Sequence, residues 1–160
     1  MENLLKKVYE SKRLSLFLSL ASHAVVVASA LALIPLIHGA YLISQLTALL
    51  VLVILAVPFV VVSLVRKLIG APRPYELYSF YEAPPKSKSG AAFPSRHAFS
   101  VFAIGTALCF IYPIIGATLL ALGLFLCTAR VLLGIHFVRD VTAGAVIGIL
   151  SSVIGMLIIL

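Results

Sequence analysis

Two histidines and one aspartate in an otherwise apolar chain have the spacing of catalytic groups. His136 precedes Asp140 by four residues, so the two side chains are neighbours if the segment is helical. A carboxylate in this position selects one tautomer of the imidazole and stabilises the ring once it is positively charged. His136 is therefore the candidate nucleophile. His97 comes from a different part of the chain and is the candidate acid that protonates a leaving oxygen.

Basic residues lie close to these groups in three short segments, and their chemistry suits phosphate. Guanidinium groups offer planar, paired donors that match phosphate oxygens. A helix that begins near Ser95 would add backbone N–H groups aimed at a negative charge. The candidate phosphate-binding residues are Arg66 or Lys67, Arg73, Ser95, Arg96 and Arg130.

The same residues do not have the composition of a metal site. One carboxylate stands near the two histidines, and the remaining neighbours are cations, which repel divalent metal ions. Cys109 and Cys127 lie within apolar stretches and lack the spacing of zinc ligands, so they are predicted to be small hydrophobic residues of the spans. We therefore expect no metal and no other cofactor.

The elements that carry these residues have the composition of a membrane protein. The chain has 160 residues, of which 62% are hydrophobic and 11% are charged, and its mean hydropathy is +1.20. A soluble domain has about a quarter of its residues charged. The chain is predicted to form one integral membrane domain over 1–160. Its expected partners are the bilayer and a lipid phosphate, and not nucleic acid.

Five apolar stretches come close to the length of a membrane span, which is about 20 residues. We predict an all-α, polytopic bundle of about five spans, at 14–37, 41–65, 97–112, 114–129 and 141–160. Small residues in the fifth span allow close helix contact; they are Gly144, Gly148, Ser151, Ser152 and Gly155. Residues 1–13 are too short to cross and are predicted to lie in the interface.

Five spans would bring every charged residue to one side of the membrane. The N-terminus, the 66–95 loop and the 130–140 loop are separated by even numbers of crossings. All 12 Lys and Arg and all 5 Asp and Glu then share that side. The other side holds only the turns at 38–40 and 112–113 and the C-terminus. The three basic and histidine-bearing segments are therefore expected to meet at one end of the bundle.

These segments resemble the signature of the type 2 phosphatidic acid phosphatase superfamily, whose soluble relatives include vanadium haloperoxidases. The family pattern is K-x6-R-P, then P-S-G-H, then S-R-x5-H-x3-D. The corresponding residues of this chain are Arg66, Arg73 and Pro74, then Pro94, Ser95, Arg96 and His97, then Ala129, Arg130, His136 and Asp140. The spacing of the third motif is matched without error, and the three motifs stand in the family order.

The chain departs from the family pattern at three positions. Arg66 occupies the position of the motif lysine, and Lys67 lies one residue too close to Arg73. We favour Arg66 for this role, because spacing at a helix end sets the direction of a side chain. Arg96 replaces the motif glycine, and it either adds a phosphate donor or reads a headgroup. Ala129 replaces the motif serine and removes one hydroxyl.

The resemblance implies a phosphatidic acid phosphatase/haloperoxidase-like fold and a metal-independent phosphatase. It implies that His136 forms a phosphohistidine, that His97 protonates the leaving group and that Asp140 orients His136. Arg73, Ser95 and Arg130 would bind the phosphate. The substrate would be a lipid phosphate or diphosphate, with undecaprenyl diphosphate, phosphatidylglycerol phosphate, phosphatidic acid and a lipid A-type phosphate as unranked candidates.

Other functions predict different sequences. A small-anion transporter should have its site at the bilayer midplane on broken helices, whereas the polar residues here lie at span edges. A non-catalytic headgroup-binding protein should have lost His97, His136 or Asp140, and all three are present. A haloperoxidase is the least favoured alternative.

The location of the site is less determined than its chemistry. We expect a bacterial cytoplasmic membrane. The positive-inside rule places a basic side in the cytoplasm, whereas most bacterial members of the family resembled have an outward-facing site. The side that holds the site and the oligomeric state stay open.

Overall fold

The chain forms a bundle of α-helices in the computed structural model, which describes residues 6–8, 10–78 and 90–160. The helices are α1 (Lys12–Leu31), α2 (Leu33–Ile43), α3 (Gln45–Ile69), α4 (Pro74–Leu77), α5 (Arg96–Ile111), α6 (Pro113–Leu132) and α7 (Val138–Ile159). Within these described ranges there is no β-strand. The predicted all-α class is therefore confirmed.

Four helical stretches are long and apolar enough to cross a bilayer: Lys12–Ile43, Gln45–Leu77, Pro113–Leu132 and Val138–Ile159. The remaining predicted span, α5, has 16 residues. This length corresponds to about 24 Å of helix, against a hydrocarbon core of about 30 Å. The protein is thus an integral, multi-pass membrane protein whose predicted five spans are four long helical stretches and one shorter apolar helix.

The short helix α5 lies at the centre of the bundle. It contacts α1, α2, α3, α6 and α7, and every residue of 101–108 is buried. A helix surrounded by others is apolar on all sides. The outer helices instead expose large apolar side chains, such as Phe17 on α1 and Leu157 on α7, where lipid tails would cover them. Burial within the bundle therefore compensates for the short length of α5.

Small residues bring α7 against α5, as the sequence predicted for the fifth span. Gly148 lies so close to α5 that an added Cβ would stand 2.6 Å from a backbone oxygen. One turn earlier, a Cβ on Gly144 would collide with the carbonyl oxygen of Ser95. One turn later, Ser152 Oγ donates a hydrogen bond of 2.9 Å to the carbonyl oxygen of Ala103. These contacts hold the first half of α5 against the middle of α7.

The first span ends later than predicted. Lys12–Ile43 runs as one apolar stretch, and the chain reverses at Ser44, whose side chain accepts a hydrogen bond of 2.9 Å from the backbone N–H of Thr47. Such an N-cap begins the next helix. His38, which was predicted to lie in a turn, is inside α2. The turn prediction was wrong because the apolar residues around His38 continue the helix up to the capping serine.

Charged residues of the described part gather at one end of the bundle. They include the residues of the last turn of α3, the first turn of α5, the last turn of α6 and the first turn of α7. Val8 packs with Leu18 and Ala129, which brings the N-terminal segment to the same end. The interfacial placement of 1–13 stays a prediction, since residues 1–5 and 9 lie outside the described ranges.

Candidate active site

The first motif begins in the last turn of α3, where neighbouring cations point in different directions. Arg66 is buried, with 8% of its surface exposed, and its Nη1 donates a hydrogen bond of 3.4 Å to the carbonyl oxygen of Pro94. Lys67 is exposed. Consecutive helical residues project about 100° apart, so only one of the two reaches the second motif. The structure brings Arg66, and not Lys67, to the site.

Arg73 lies after the helix, in a segment held by backbone contacts. Gly70 ends α3 in a left-handed conformation with φ of 56°, which glycine adopts without strain. Arg73 is partly buried, its Nε donates to the carbonyl oxygen of Gly90 at 3.5 Å, and its guanidinium lies 5.7 Å from the ring centre of Tyr75. The Tyr75 N–H donates to the carbonyl oxygen of Gly134 at 3.2 Å, which joins the first motif to the third.

The second motif forms the start of α5. Ser95 is fully buried, and its Oγ caps the helix by accepting a hydrogen bond of 3.4 Å from the Ala98 N–H. The Ser95 N–H donates to the carbonyl oxygen of Asp140 at 2.9 Å. His97 is partly buried in the first turn. Ser95 therefore connects the second motif to the third through its backbone and orients the helix that carries His97.

The third motif is a tight turn between α6 and α7. The carbonyl oxygen of Arg130 accepts hydrogen bonds from the N–H groups of Ile135 at 3.0 Å and His136 at 3.3 Å. Gly134 allows this reversal with φ of 67°, a value that favours glycine. The turn therefore folds His136 back toward the end of α6, where Arg130 is buried with 7% of its surface exposed.

His136 and Asp140 are both almost completely buried, and they face each other. His136 Nδ1 lies 3.6 Å from Asp140 Oδ2, with 1% and 0% of their side chains exposed. This distance is slightly longer than a hydrogen bond. Asp140 Oδ2 also accepts a hydrogen bond of 2.9 Å from the Phe137 N–H. Since α7 begins only at Val138, the capping turn brings the pair together, and not the helical spacing assumed from the sequence.

Electrostatics favours the neutral form of His136. Burial lowers the pKa of His136 below its ordinary value of 6.5, and the positive charges of Arg73 and Arg66 act in the same direction. Asp140 opposes this shift by raising the pKa. A neutral imidazole keeps a lone pair on one ring nitrogen. His136 is therefore in the form that a nucleophile needs.

Hydrogen bonds between the motifs bring their charged residues to one place: Arg66 Nη1 donates to the carbonyl oxygen of Pro94, the Tyr75 N–H to that of Gly134 and the Ser95 N–H to that of Asp140. Residues from α3, the following loop, α5 and the α6–α7 turn thus share one electrostatic environment at the charged end of the bundle.

A buried charged donor of this site lacks an acceptor. Arg130 Nε has no hydrogen-bond partner among residues 6–8, 10–78 and 90–160. A buried charged donor without a partner is costly, and a phosphoryl oxygen would satisfy it. The same described part of the chain contains no group of three or more His, Cys, Asp or Glu side chains able to hold a metal ion.

Arg96 differs from the other motif arginines. It is exposed, and its guanidinium lies 6.0 Å from the ring centre of Phe59 on α3. The sequence left its role open, and the structure puts its side chain outside the buried pair formed by Arg66 and Arg130.

Three residues that contact residues of the site were not identified, or only in part, from the sequence. Phe59 was an ordinary span residue until α3 and α5 packed together, and no local signal marked it. Arg139 lies next to the motif aspartate, and its Nε is 3.5 Å from Asp140 Oδ1; its adjacency to Asp140 was the available signal. Gly144 was recognised as a packing residue, but its contact with Ser95 depends on the position of α5.

Comparisons with known proteins give one matching family and two similar structures. Residues 46–160 match the model of the PAP2 superfamily. The fold is similar to the crystal structure of a transmembrane PAP2 type phosphatidylglycerolphosphate phosphatase from Bacillus subtilis, with a TM-score of 0.71 and 20% identity over 96% of this chain and 81% of that chain. It is also similar to Aquifex aeolicus LpxE, with a TM-score of 0.70 and 22% identity over 96% and 92% of the two chains. No curated protein matches significantly.

Proposed function

Because the chain belongs to the PAP2 superfamily, we propose that it hydrolyses a lipid phosphate or lipid diphosphate through a phosphohistidine on His136. The observation that carries the proposal is the burial of His136 against Asp140 at the charged end of the bundle, where Arg66 and Arg130 are also buried. A lipid phosphate substrate is in line with the description of one of the two similar structures as a phosphatidylglycerolphosphate phosphatase.

Arginine side chains bind the reacting phosphoryl group. Arg66 and Arg130 are buried and offer charged donors, and Arg130 Nε is available for a phosphoryl oxygen. Arg73 adds a third positive charge that acts on His136. These groups are held in position before the substrate arrives, so they stabilise the charge of the transition state without reorganising.

The nucleophile attacks through the ring nitrogen that does not face Asp140. Nδ1 of His136 lies toward the carboxylate, which leaves Nε2 to form a bond to phosphorus as the bond to the leaving oxygen breaks. Asp140 stabilises the positive charge that the ring acquires. The negative charge of the bound phosphate offsets the cations around His97 and allows its imidazole to be protonated. His97 donates this proton to the leaving oxygen and then accepts one from the water that hydrolyses the phosphohistidine. Inorganic phosphate is released, and both histidines return to their starting forms.

The position of the site favours a lipid substrate over a transported anion. The histidines and arginines lie at one end of the bundle, where a headgroup meets water, while the lipid tail can stay in the bilayer. A transporter site near the midplane would require polar residues within the middle of the spans. The charged residues that the structure describes lie instead in terminal helical turns or between helices.

The direct test is to trap the covalent intermediate. Purified protein in detergent is mixed with a lipid phosphate labelled with ³²P in the reacting group and quenched within milliseconds. We expect labelled protein whose bond is stable to alkali and labile to acid, as a phosphoramidate is, and no label in His136→Ala. His38→Ala is the matched control, since His38 is exposed on α2 at the other end. Label that survives in His136→Ala would contradict the proposed nucleophile.

Metal independence is a second test of the same mechanism. Activity should survive excess EDTA, because cations and histidines, without a bound metal, neutralise the phosphate. Vanadate should inhibit, since its trigonal-bipyramidal form resembles the phosphoryl transition state. Loss of activity on chelation that magnesium restores would count against the mechanism.

A further inference from the structure

Arg96 lies at the boundary between the phosphate site and the lipid-facing side of the bundle. It follows Ser95 and precedes His97 at the start of α5, two residues after Pro94, whose carbonyl oxygen accepts the hydrogen bond from Arg66. Its own side chain is exposed and lies over Phe59. Within the described residues it takes part in no ion pair. Arg96 is therefore near the reacting group without belonging to the buried cluster around it.

An apolar cavity begins at the same aromatic residue. It has a volume of about 240 Å³ and is lined by Leu33, Leu52, Leu55, Ala56, Phe59, Phe99, Ser100, Ala103 and Ile104. Two of its lining residues, Phe59 and Phe99, contact each other, with ring centres 6.2 Å apart. Leu52 and Phe59 are 46% and 37% exposed, so the cavity opens toward the bilayer. An apolar cavity of about 150 Å³ holds benzene, and this larger one has room for part of a lipid tail.

We propose that Arg96 binds a second phosphate group on the tail side of the reacting phosphate, while the lipid tail lies in the cavity beside Phe59. This inference rests on the proposed function and narrows its substrate. A lipid whose reacting phosphate reaches Arg66 and Arg130 and whose tail enters the cavity must pass Arg96 between the two. An exposed guanidinium at that point favours an anion there, and phosphatidic acid presents only neutral ester groups.

Two kinds of lipid carry such a second phosphate. In a polyprenyl diphosphate it is the leaving group itself, directly joined to the reacting phosphate. In phosphatidylglycerol phosphate a glycerol separates the two. The family signature has glycine at the position of Arg96. This chain therefore carries one more cation beside the site than the signature requires.

The test compares substrates in a single variant. We would measure kcat/KM of wild type and Arg96→Gln on farnesyl diphosphate, phosphatidylglycerol phosphate, phosphatidic acid and p-nitrophenyl phosphate in one detergent. Loss of a charge-assisted hydrogen bond should lower kcat/KM about 10- to 100-fold for substrates with the second phosphate, and less than about threefold for phosphatidic acid. The larger of the two losses identifies which spacing between phosphates the site accepts.

Control variants separate this effect from a general loss of surface charge. Arg13→Gln removes an exposed cation at the start of α1 and should reduce the four activities equally and slightly. Arg96→Lys should recover part of the selectivity. An equal loss on all four substrates in Arg96→Gln would mean that Arg96 only positions His97, and no loss would make it a surface cation; either result overturns the inference. If the wild type hydrolyses none of the four, the proposed function itself fails.

Binding of the lipid tail in the cavity is tested with a separate variant. Ala56→Phe fills the cavity from an exposed position on α3 and should lower kcat/KM for farnesyl diphosphate more than for p-nitrophenyl phosphate, which has no tail. Val53→Phe adds the same ring to the same helix, at an exposed position outside the cavity lining, and should not. Equal behaviour of the two variants would show that the tail binds elsewhere.

Discussion

The two ends of the helical bundle are built differently. At one end the chain reverses over single residues, Ser44 between α2 and α3 and Tyr112 between α5 and α6. At the other end, residues 70–95 and 133–137 connect the spans, and α4 lies in the described part of the first connection, 70–78 and 90–95. Glycines with positive φ and buried polar side chains are found there. The apolar end only reverses the chain, whereas the charged end positions reactive groups.

Backbone hydrogen bonds between motifs account for this difference. The Ser95 N–H donates to the carbonyl oxygen of Asp140, and the Tyr75 N–H donates to that of Gly134. These bonds join segments that are distant in sequence, and each fixes the location of a side chain in the site. Substitutions at the charged end should therefore change activity more than stability, and substitutions at the apolar end should do the reverse.

The largest effect is expected at the two histidines. His136→Ala removes the nucleophile, so kcat/KM should fall to background for every substrate. His97→Ala should cost about 10²- to 10⁴-fold on a lipid phosphomonoester, whose alkoxide needs protonation, and less on p-nitrophenyl phosphate. The measurement is the ratio of kcat/KM values for the two substrates. If His136→Ala spares one substrate instead, the nucleophile and the acid have been interchanged.

The adjacent cations Arg66 and Lys67 compare a buried and an exposed charge at the same helix end. Arg66→Ala removes a charged donor from the buried cluster and should lower kcat/KM about 10- to 100-fold, the usual cost of a lost hydrogen bond to a charged group. Lys67→Ala should change it less than about threefold, because exposed charges contribute little. Steady-state kinetics of the two variants on one lipid phosphate measures both losses. A larger loss in Lys67→Ala than in Arg66→Ala would assign the first-motif position to Lys67.

The glycines of α7 test whether activity follows distance from the charged end. Gly144→Ala and Gly148→Ala each introduce a Cβ against α5, and overpacking of this kind costs about 1–3 kcal/mol. Both should therefore lower the thermal midpoint in detergent. Only Gly144→Ala should also reduce kcat/KM strongly at temperatures where both variants are folded, because Gly144 contacts Ser95. Equal activities in the two variants would show that the packing of α7 against α5 at Gly144 does not determine the geometry of the site.

The pH dependence tests the electrostatics of the charged end. Since the pKa of His136 is lowered by burial, its protonation, and thus the loss of kcat/KM, should occur below its ordinary value of 6.5 as pH falls. Asp140 raises this pKa, so Asp140→Asn should move the acid limb of its residual activity to still lower pH. Protonation of the substrate phosphate affects the wild type and Asp140→Asn equally, so a difference between their acid limbs reports on His136. An acid limb that moves upward would contradict this assignment.

The smallest effect on activity is expected at the apolar end. Ser44→Ala removes the side chain that caps α3 and should cost about 1 kcal/mol of stability, the typical value of an N-cap. Thermal unfolding in detergent measures this loss, while kcat/KM should be unchanged. A loss of activity comparable to that of Gly144→Ala would show that the two ends are not independent.

The sequence by itself determined the membrane class, the all-α architecture and the family. Hydropathy indicates whether a segment is surrounded by lipid or by water. The spacing from Arg130 to His136 and Asp140 identifies the family, and it is a property of the chain that folding does not alter. The position of the fifth span was also predictable: α7 begins at Val138, close to Asp140. Helix ends were less accurate, since the continuation of α2 through His38 depended on a cap at Ser44.

Tertiary structure decided which side chains of the motifs share the site. Arg66 and Lys67 are equally basic in sequence, but the packing of α3 against the second motif buries only Arg66. The approach of His136 to Asp140 comes from a capping turn, and the contact of Arg96 with Phe59 joins residues far apart in the chain. Such contacts depend on the relative positions of several helices, and the physical reason is that side-chain direction and burial are set by packing between segments.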